Sequence, residues 1–297
     1  MLQCVFQMFP FNIKGDAHIG SDHDKLISCI IPTSNRAYEV DRILFCLAMQ
    51  DMDTSLFEVI VIEDGMSDEI EKIVRRHSAF IDIKLKSNIR PLQSVGALRN
   101  QGLELSAGRY ILFLDDDTFI GQGHFLSTLR DRFQTVPDID CITVHGKADR
   151  CFLRRRYMYL NKYSFGAACI AYKRDFLIKL GGFFNVMTSY EDIELSVRFT
   201  IADGRAYRES ELFYYHPPFY FSSWKKPISN GLSFLRTYKR YSFPVWLLCY
   251  INALRFLPFL FFPSSKLRQW GKISGGFLVA PLLSMMPGEW KNNSAYE

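Results

Sequence analysis

Arg109-Tyr-Ile-Leu-Phe-Leu-Asp-Asp-Asp-Thr118 is the stretch whose reading decides the fold. Residues 110–114 are apolar and β-favouring, as expected of a strand buried on both faces. The run stops at three carboxylates, Asp115, Asp116 and Asp117. Acids at the C-terminal end of a parallel strand lie where α/β sheets bind their ligands. Side chains alternate along an extended chain, so Asp115 and Asp117 can converge while Asp116 points elsewhere. Converging carboxylates repel unless a cation joins them, and a hard divalent ion that also holds phosphate oxygens suits the place. A solvated acidic turn after a core strand is the plainer alternative.

Working outward, the same pattern recurs. Residues 26–32 form an apolar run closed by Pro32 and followed by Thr33-Ser-Asn-Arg36. Residues 57–62 form a second strand, ending in Glu63-Asp64-Gly65, with Ser67 and Asp68 as caps for the next helix. Residues 81–85 read as a third strand, and 91–106 as a helix stopped by Gly108. Strands alternating with helices argue for a parallel, doubly wound, Rossmann-like sheet flanked by helices. Its strand ends bring Thr33, Asn35, Glu63, Asp64, Asp115 and Asp117 to one edge, which weakens the reading of a chance acidic turn. Beyond it, 125–133 reads as a helix, 141–144 and 164–172 as strands, and 174–180 as a helix closed by Gly181-Gly182. A helix then opens at Tyr190-Glu191-Asp192, with Ile193 and Val197 toward the core and the acids favoured in its first turn. A last strand, 206–215, ends at His216.

The whole chain sets bounds. At 297 residues with 26 Phe and 15 Tyr it is aromatic-rich, and its net charge of +5 is mild. That charge suits an anionic substrate or a membrane surface and does not call for nucleic acid. Seven scattered cysteines without a C-x-x-C pair read as reduced residues of a cytoplasmic protein. The expected organisation is an N-terminal extension (1–25), a catalytic α/β domain (26–222, divided near 120) and a basic, aromatic helical region (223–297). The apolar patch at 5–11 lacks the flanks of a signal peptide.

In order, Pro32-Thr-x-Asn-Arg36, Val61-Ile-Glu-Asp-Gly65, Leu98-Arg-Asn-x-Gly102, Gly108 to Asp117, Gly181-Gly-Phe183 and Glu191-Asp-x-Glu-Leu195 resemble the inverting, GT-A-fold glycosyltransferases of family 2. The resemblance implies a nucleotide-sugar-dependent hexosyltransferase, with Thr33, Asn35, Arg36, Glu63, Asp64, Arg99, Asn100, Asp115 and Asp116 on the donor side. It implies Mg2+ or Mn2+ on Asp115 and Asp117, a catalytic base at Asp192, and acceptor contacts near Glu191 and Gly182. Two positions depart from the family pattern: Glu63 where Asp is usual, and Thr118 where a further acid is frequent. His216 is a candidate third metal ligand or a simple turn residue, and Arg154–Arg156 either a phosphate clamp or a solvated loop. The chemistry agrees: a metal to neutralise the leaving diphosphate, one carboxylate to take the acceptor's proton, and no separate nucleophile, hence inversion. Within the triplet, Asp116 is the member expected to tolerate replacement best.

The C-terminal run 243–262 is long enough to span a bilayer, but Arg255 inside it would cost about 3 kcal/mol. Basic residues flank both sides, and a second run, 273–287, is short and interrupted by Gly275, Gly276 and Pro281. Amphipathic helices lying in the interface fit better, on the cytoplasmic face of the inner or plasma membrane, where nucleotide sugars are found. A soluble helical subdomain or a homo-oligomer contact is the alternative. The expected activity is transfer of a sugar to a glycan or polyprenyl-linked acceptor, probed against two others: an idle scaffold of the same fold, and a nucleotidyltransferase, disfavoured by the glycine-free 33–36 loop.

Overall fold

The computed structural model describes residues 25–147, 168–217 and 220–285. In chain order these form β1 (Lys25–Thr33), α1 (Ala37–Ala48), β2 (Phe57–Glu63), α2 (Asp68–His77), β3 (Ile83–Ser87), α3 (Val95–Leu105), β4 (Gly108–Leu114) and α4 (Phe125–Thr135). There follow β5 (Cys141–Lys147), β6 (Cys169–Lys173), α5 (Arg174–Lys179), α6 (Glu191–Ile201) and β7 (Ala206–Tyr215). The C-terminal part is α7 (Lys225–Leu235), α8 (Phe243–Leu254), a 3₁₀ turn (Leu257–Phe261) and α9 (Ser265–Met285).

One seven-stranded sheet runs β3-β2-β1-β4-β6-β5-β7. The chain winds outward from β1 to β2 and β3, all parallel, then α3 returns it to lay β4 parallel on the other side of β1. Strand order therefore reverses between β1 and β4, the topological switch point at which such sheets open a crevice beyond their C-terminal ends. Beyond β4 the sheet departs from the doubly wound pattern: β6 is antiparallel to both β4 and β5, while β5 and β7 are parallel.

Strict alternation explains the double-sided core. Tyr110, Leu112 and Leu114 of β4 pack with Ile27, Cys29 and Ile31 of β1 under α1, α2 and α4. Ile111 and Phe113, with Ile30, turn to the other face under α3, α5 and α6. The four described β-strand and helix cysteines of the main sheet body, Cys29, Cys46, Cys141 and Cys169, are free and buried, as expected of small apolar core residues.

Several local expectations are corrected. Helix α3 begins at Val95, not at 91, because Ser94 caps it by accepting the Ala97 amide. In α6 the buried face carries Leu195 and Phe199 with the Glu194–Arg198 ion pair, while Ile193 and Val197 are only half-buried. Arg198 is held there because it also donates to the carbonyl oxygens of Leu180 and Gly182. Residues 273–285 continue one helix, α9, through Pro281. Its glycines serve contact: a Cβ on Gly231 of α7 would lie 2.6 Å from the Gly276 carbonyl oxygen, and one on Gly276 would fall on the Pro227 carbonyl. Phe243–Phe261 is long and apolar enough to cross a membrane by length and composition. It is nevertheless broken, since α8 ends at Leu254 and only a 3₁₀ turn follows.

Candidate active site

The strand ends at the switch point build an acidic corner. After β4 the chain leaves the sheet: the Thr118 amide donates to the Asp115 carbonyl at 3.0 Å, and the Asp115 amide to the Ala168 carbonyl at 3.1 Å. Thr118, fully buried, ties this turn to the start of β6 through its hydroxyl on the same Ala168 carbonyl at 2.8 Å. The end of β7 is brought alongside by a reciprocal backbone pair between Phe119 and Tyr215, both bonds 2.8 Å. His216 follows directly, so its ring arrives at the acids.

Asp115, Asp117 and His216 each offer a ligand atom, and these atoms lie within 4.8 Å of one another. Asp117 Oδ1 is buried without a hydrogen-bond partner. His216 Nε2 stands 3.2 Å from it, close but not aligned as a hydrogen bond. An orphaned carboxylate oxygen facing an imidazole nitrogen and a second carboxylate fits a divalent cation, whose hard oxygen and imidazole ligands these are. The expectation that Asp115 and Asp117 converge while Asp116 turns away is met.

Asp116 has a different role from the one expected of it. It is the most buried of the three acids, accepting from Thr33 Oγ1 at 2.8 Å and from Arg36 Nη1 at 2.9 Å. Burial pushes its carboxyl up to about 6, with Arg36 and Thr33 offsetting only part of the effect. Burial also pushes Asp117 upward, but His216 and Arg36 outweigh it and hold that carboxyl at about 2. For His216, burial favours the neutral ring, yet Asp117 prevails and its pKa lies above the ordinary value. Arg36 reaches Asp117 Oδ2 as well, at 3.1 Å. Asp116 is thus the enclosed and doubly bonded member of the triplet.

The donor-side residues divide into those at the crevice and those that brace it. Asn35 adopts φ 51° at the exposed turn after β1, beside Arg36. Asp64 accepts the backbone amides of Leu92 and Gln93 at 2.6 and 3.0 Å, fixing the loop ahead of α3. Glu63 is buried and accepts from Ser87 Oγ at 2.8 Å; burial raises its pKa. Asn100 braces the 181–185 turn, exchanging hydrogen bonds with the Phe183 backbone at 2.9 and 2.8 Å and pairing with Asn185. Gly182 sits at φ 65° with Asn100 Oδ1 only 2.5 Å from where a Cβ would lie, so a side chain has neither the backbone nor the room.

Arg99 is the hinge of the arrangement. It is 3% exposed, donates to Asp115 Oδ1 at 2.7 Å with one nitrogen and pairs with Glu191 through another. Its guanidinium also lies over the Phe183 ring, 5.2 Å from the centroid. The neighbouring carboxylates Asp115, Glu191 and Asp192 hold its charge in spite of burial, with its pKa above the usual value. Glu191, expected near the acceptor, is bonded to Arg99. Asp192, half-buried on the next position, accepts the Ile193 amide at 2.8 Å. Sequence reasoning placed Arg99 near the donor and did not foresee the bridge, because nothing local in the chain links positions 92 residues apart. It also missed Arg42, which donates to the Asp117 carbonyl at 3.2 Å; an arginine at the N-cap of α1 and another six residues on were the available signal. Arg154–Arg156 lie outside the described residues.

Comparison with known proteins identifies the fold and the family. A mannosyltransferase from Pyrobaculum calidifontis, in complex with GDP-Man and Mn2+, superposes with a TM-score of 0.65 at 15% identity, over 97% of this chain and 94% of its own. Staphylococcus aureus TarS 1–349 in complex with UDP-GlcNAc gives 0.59 at 19% identity, over 87% and 73%. At those identities the likeness is one of fold, the GT-A type. In sequence, a validoxylamine A glucosyltransferase of Streptomyces hygroscopicus is 33% identical over 124 residues, 41% of this chain and 27% of that protein. A GalNAc(5)-diNAcBac-PP-undecaprenol beta-1,3-glucosyltransferase of Campylobacter jejuni is 32% identical over 107 residues, 36% and 34%. The chain spans well under half the length of these curated relatives. Residues 28–188, more than half of the chain, match the sequence profile of Glycosyl transferase family 2, and the protein belongs to that family of glycosyltransferases.

Proposed function

We propose that the protein is a metal-dependent inverting glycosyltransferase that moves a sugar from a nucleotide-sugar donor to a glycan or polyprenyl-linked acceptor in cell-surface polysaccharide assembly. The observation that carries this reading is the Arg99 bridge, which sets the Asp115–Asp117–His216 corner beside the first turn of α6. Asp115, Asp117 and His216 would hold Mg2+ or Mn2+. When bound, such an ion neutralises charge building on the departing diphosphate. Arg36, exposed at the rim of the same corner, is the chain's own cation for that diphosphate. Asp192, in the first turn of α6 beside Glu191, would accept the acceptor hydroxyl's proton. One base and no protein nucleophile give a single in-line displacement with inversion at the anomeric carbon. The undecaprenol-linked substrate named for the Campylobacter jejuni relative and the sugar nucleotides bound by the two structural neighbours support the substrate classes.

The C-terminal region supports work at a membrane surface. Between 212 and 288 the sequence has nine Lys and Arg and no Asp or Glu. The same region exposes Phe243, Leu248, Ile251, Phe261, Leu282 and Met285. Cations beside exposed apolar side chains match an anionic lipid surface. The break after Leu254 favours helices lying in the interface, on the cytoplasmic side with the nucleotide sugars.

Two measurements test the reading. A thermal-shift screen of UDP-, GDP- and dTDP-sugars with Mn2+ should find one nucleotide class that stabilises the protein. Asp192→Asn should then abolish transfer while keeping that shift. Stabilisation by no sugar nucleotide would favour an idle scaffold, and undiminished turnover by Asp192→Asn would remove Asp192 as the base.

A further inference from the structure

The helix that carries Asp192 starts from a residue in an unfavourable conformation. Tyr190, directly ahead of Glu191, sits at φ 70° and ψ 12°, in the left-handed region. Glycine takes that conformation freely, whereas a bulky side chain is an outlier there. Such outliers persist only where the surroundings impose them. Here the surroundings belong to the C-terminal helices. The Tyr190 ring meets Phe277 of α9 edge-on at 5.2 Å and Phe234 of α7 edge-on at 6.2 Å. It thereby joins the aromatic cluster that also holds Trp246 and Tyr250 of α8. Two further contacts reach α6 from the same side. Arg240 Nε donates to Glu194 Oε1 at 3.2 Å, and the Tyr241 hydroxyl to the Glu194 carbonyl at 3.4 Å. From the donor side Arg99 holds Glu191. The first turn of α6 is thus gripped between a guanidinium and an aromatic socket.

We propose that Tyr190 is a positioning residue: its ring, keyed between Phe234 and Phe277, lets the C-terminal helices set the angle at which α6 presents Asp192 to the acceptor. The proposal rests on Asp192 being the base. It makes residues 225–285 a working part of the active site as well as a surface for docking. If the backbone turn were all that mattered at this position, glycine would serve it better than tyrosine does.

Full-length Tyr190→Gly and Tyr190→Phe separate the two. Amide hydrogen exchange over 191–201 is read first, without substrate; turnover of UDP-GlcNAc or GDP-mannose with Mn2+ is read second. Tyr190→Gly should quicken exchange selectively in 191–201 and lower kcat by about 10- to 100-fold, the scale of a misplaced reacting group, while leaving the donor KM near that of the wild type. Tyr190→Phe, which keeps the ring, should restore both. Wild-type exchange in 191–201 for Tyr190→Gly overturns the proposal, as does a lowered Tm with unchanged kcat in the folded protein. Should Tyr190→Gly fail to fold, Phe277→Leu alters the socket from α9. It must reproduce the selective exchange, and unaltered protection of 191–201 in that variant likewise overturns the proposal. A wild type that turns over no sugar nucleotide would sink the transferase reading itself, leaving the exchange measurement to decide the role of Tyr190.

Discussion

Asp116→Asn should make the metal-free protein more stable at neutral pH and a poorer enzyme. The folded chain raises the Asp116 carboxyl from an ordinary 3.8 to about 6, chiefly by burial. Between those values the folded state keeps a proton that the unfolded state has lost. Wild-type stability therefore falls as pH rises from about 4 through 6 and is level above that. A shift of roughly two units corresponds to about 3 kcal/mol, a cost the neutral amide avoids. About half of it is already present at pH 5, so the variant's advantage should grow by about 1.5 kcal/mol between pH 5 and pH 8. The amide oxygen can still accept from Thr33, and the attraction to Arg36 is already contained in the value of about 6. Urea unfolding of both proteins at the two pH values, in chelator, measures the difference. An advantage that does not change with pH, or one that shrinks as pH rises, would refute the assignment of a buried, reluctantly ionised carboxyl at this position. Catalysis should decline at the same time, because Arg36 loses one of its two anchoring carboxylates, a conflict between stability and activity common at functional sites.

Asp117→Ala removes one of the three candidate ligands. Mn2+ affinity read by electron paramagnetic resonance should fall by more than the about 10- to 100-fold typical of an outer-shell loss; unchanged affinity would place the ion elsewhere. Gly276→Ala sets a methyl against the Pro227 carbonyl, so thermal unfolding should reveal a loss near the upper end of the about 1–3 kcal/mol of overpacking. Cosedimentation with vesicles should show binding to anionic bilayers that weakens as salt rises. Lys266→Glu with Arg268→Glu should weaken it further, at about 1 kcal/mol for each surface cation. Vesicle binding that ignores both salt and lipid charge would instead point to a protein partner for the apolar face.

Much of the donor half was legible because its elements obey short-range rules. Residues 110–114 read as a doubly buried strand, and the helices under them place its alternating side chains in two separate cores. The acids were legible as strand ends, and His216 as the residue after the last strand. What escaped is what depends on distant partners. The antiparallel course of β6 leaves no mark in its five residues. Glu191 looked like a dipole-favoured helix acid and turned out to be half of a buried pair with Arg99. The glycines of α9 looked like helix breakers, because propensity is a local quantity and the need for backbone contact with α7 is not. Asp116 looked dispensable since alternation turns it from the metal corner; only the tertiary fold brings Thr33 and Arg36 to meet it.

Arg36 changes how the acidic corner behaves as an electrolyte. It spans Asp116 and Asp117 with a single guanidinium, so the fold carries its own counter-ion where carboxylates crowd. A divalent cation taken up here would bind beside a fixed guanidinium that already offsets part of the carboxylates' charge. Repulsion from Arg36 would moderate the grip on such an ion, which suits the proposed site, where metal and nucleoside diphosphate would leave together after turnover.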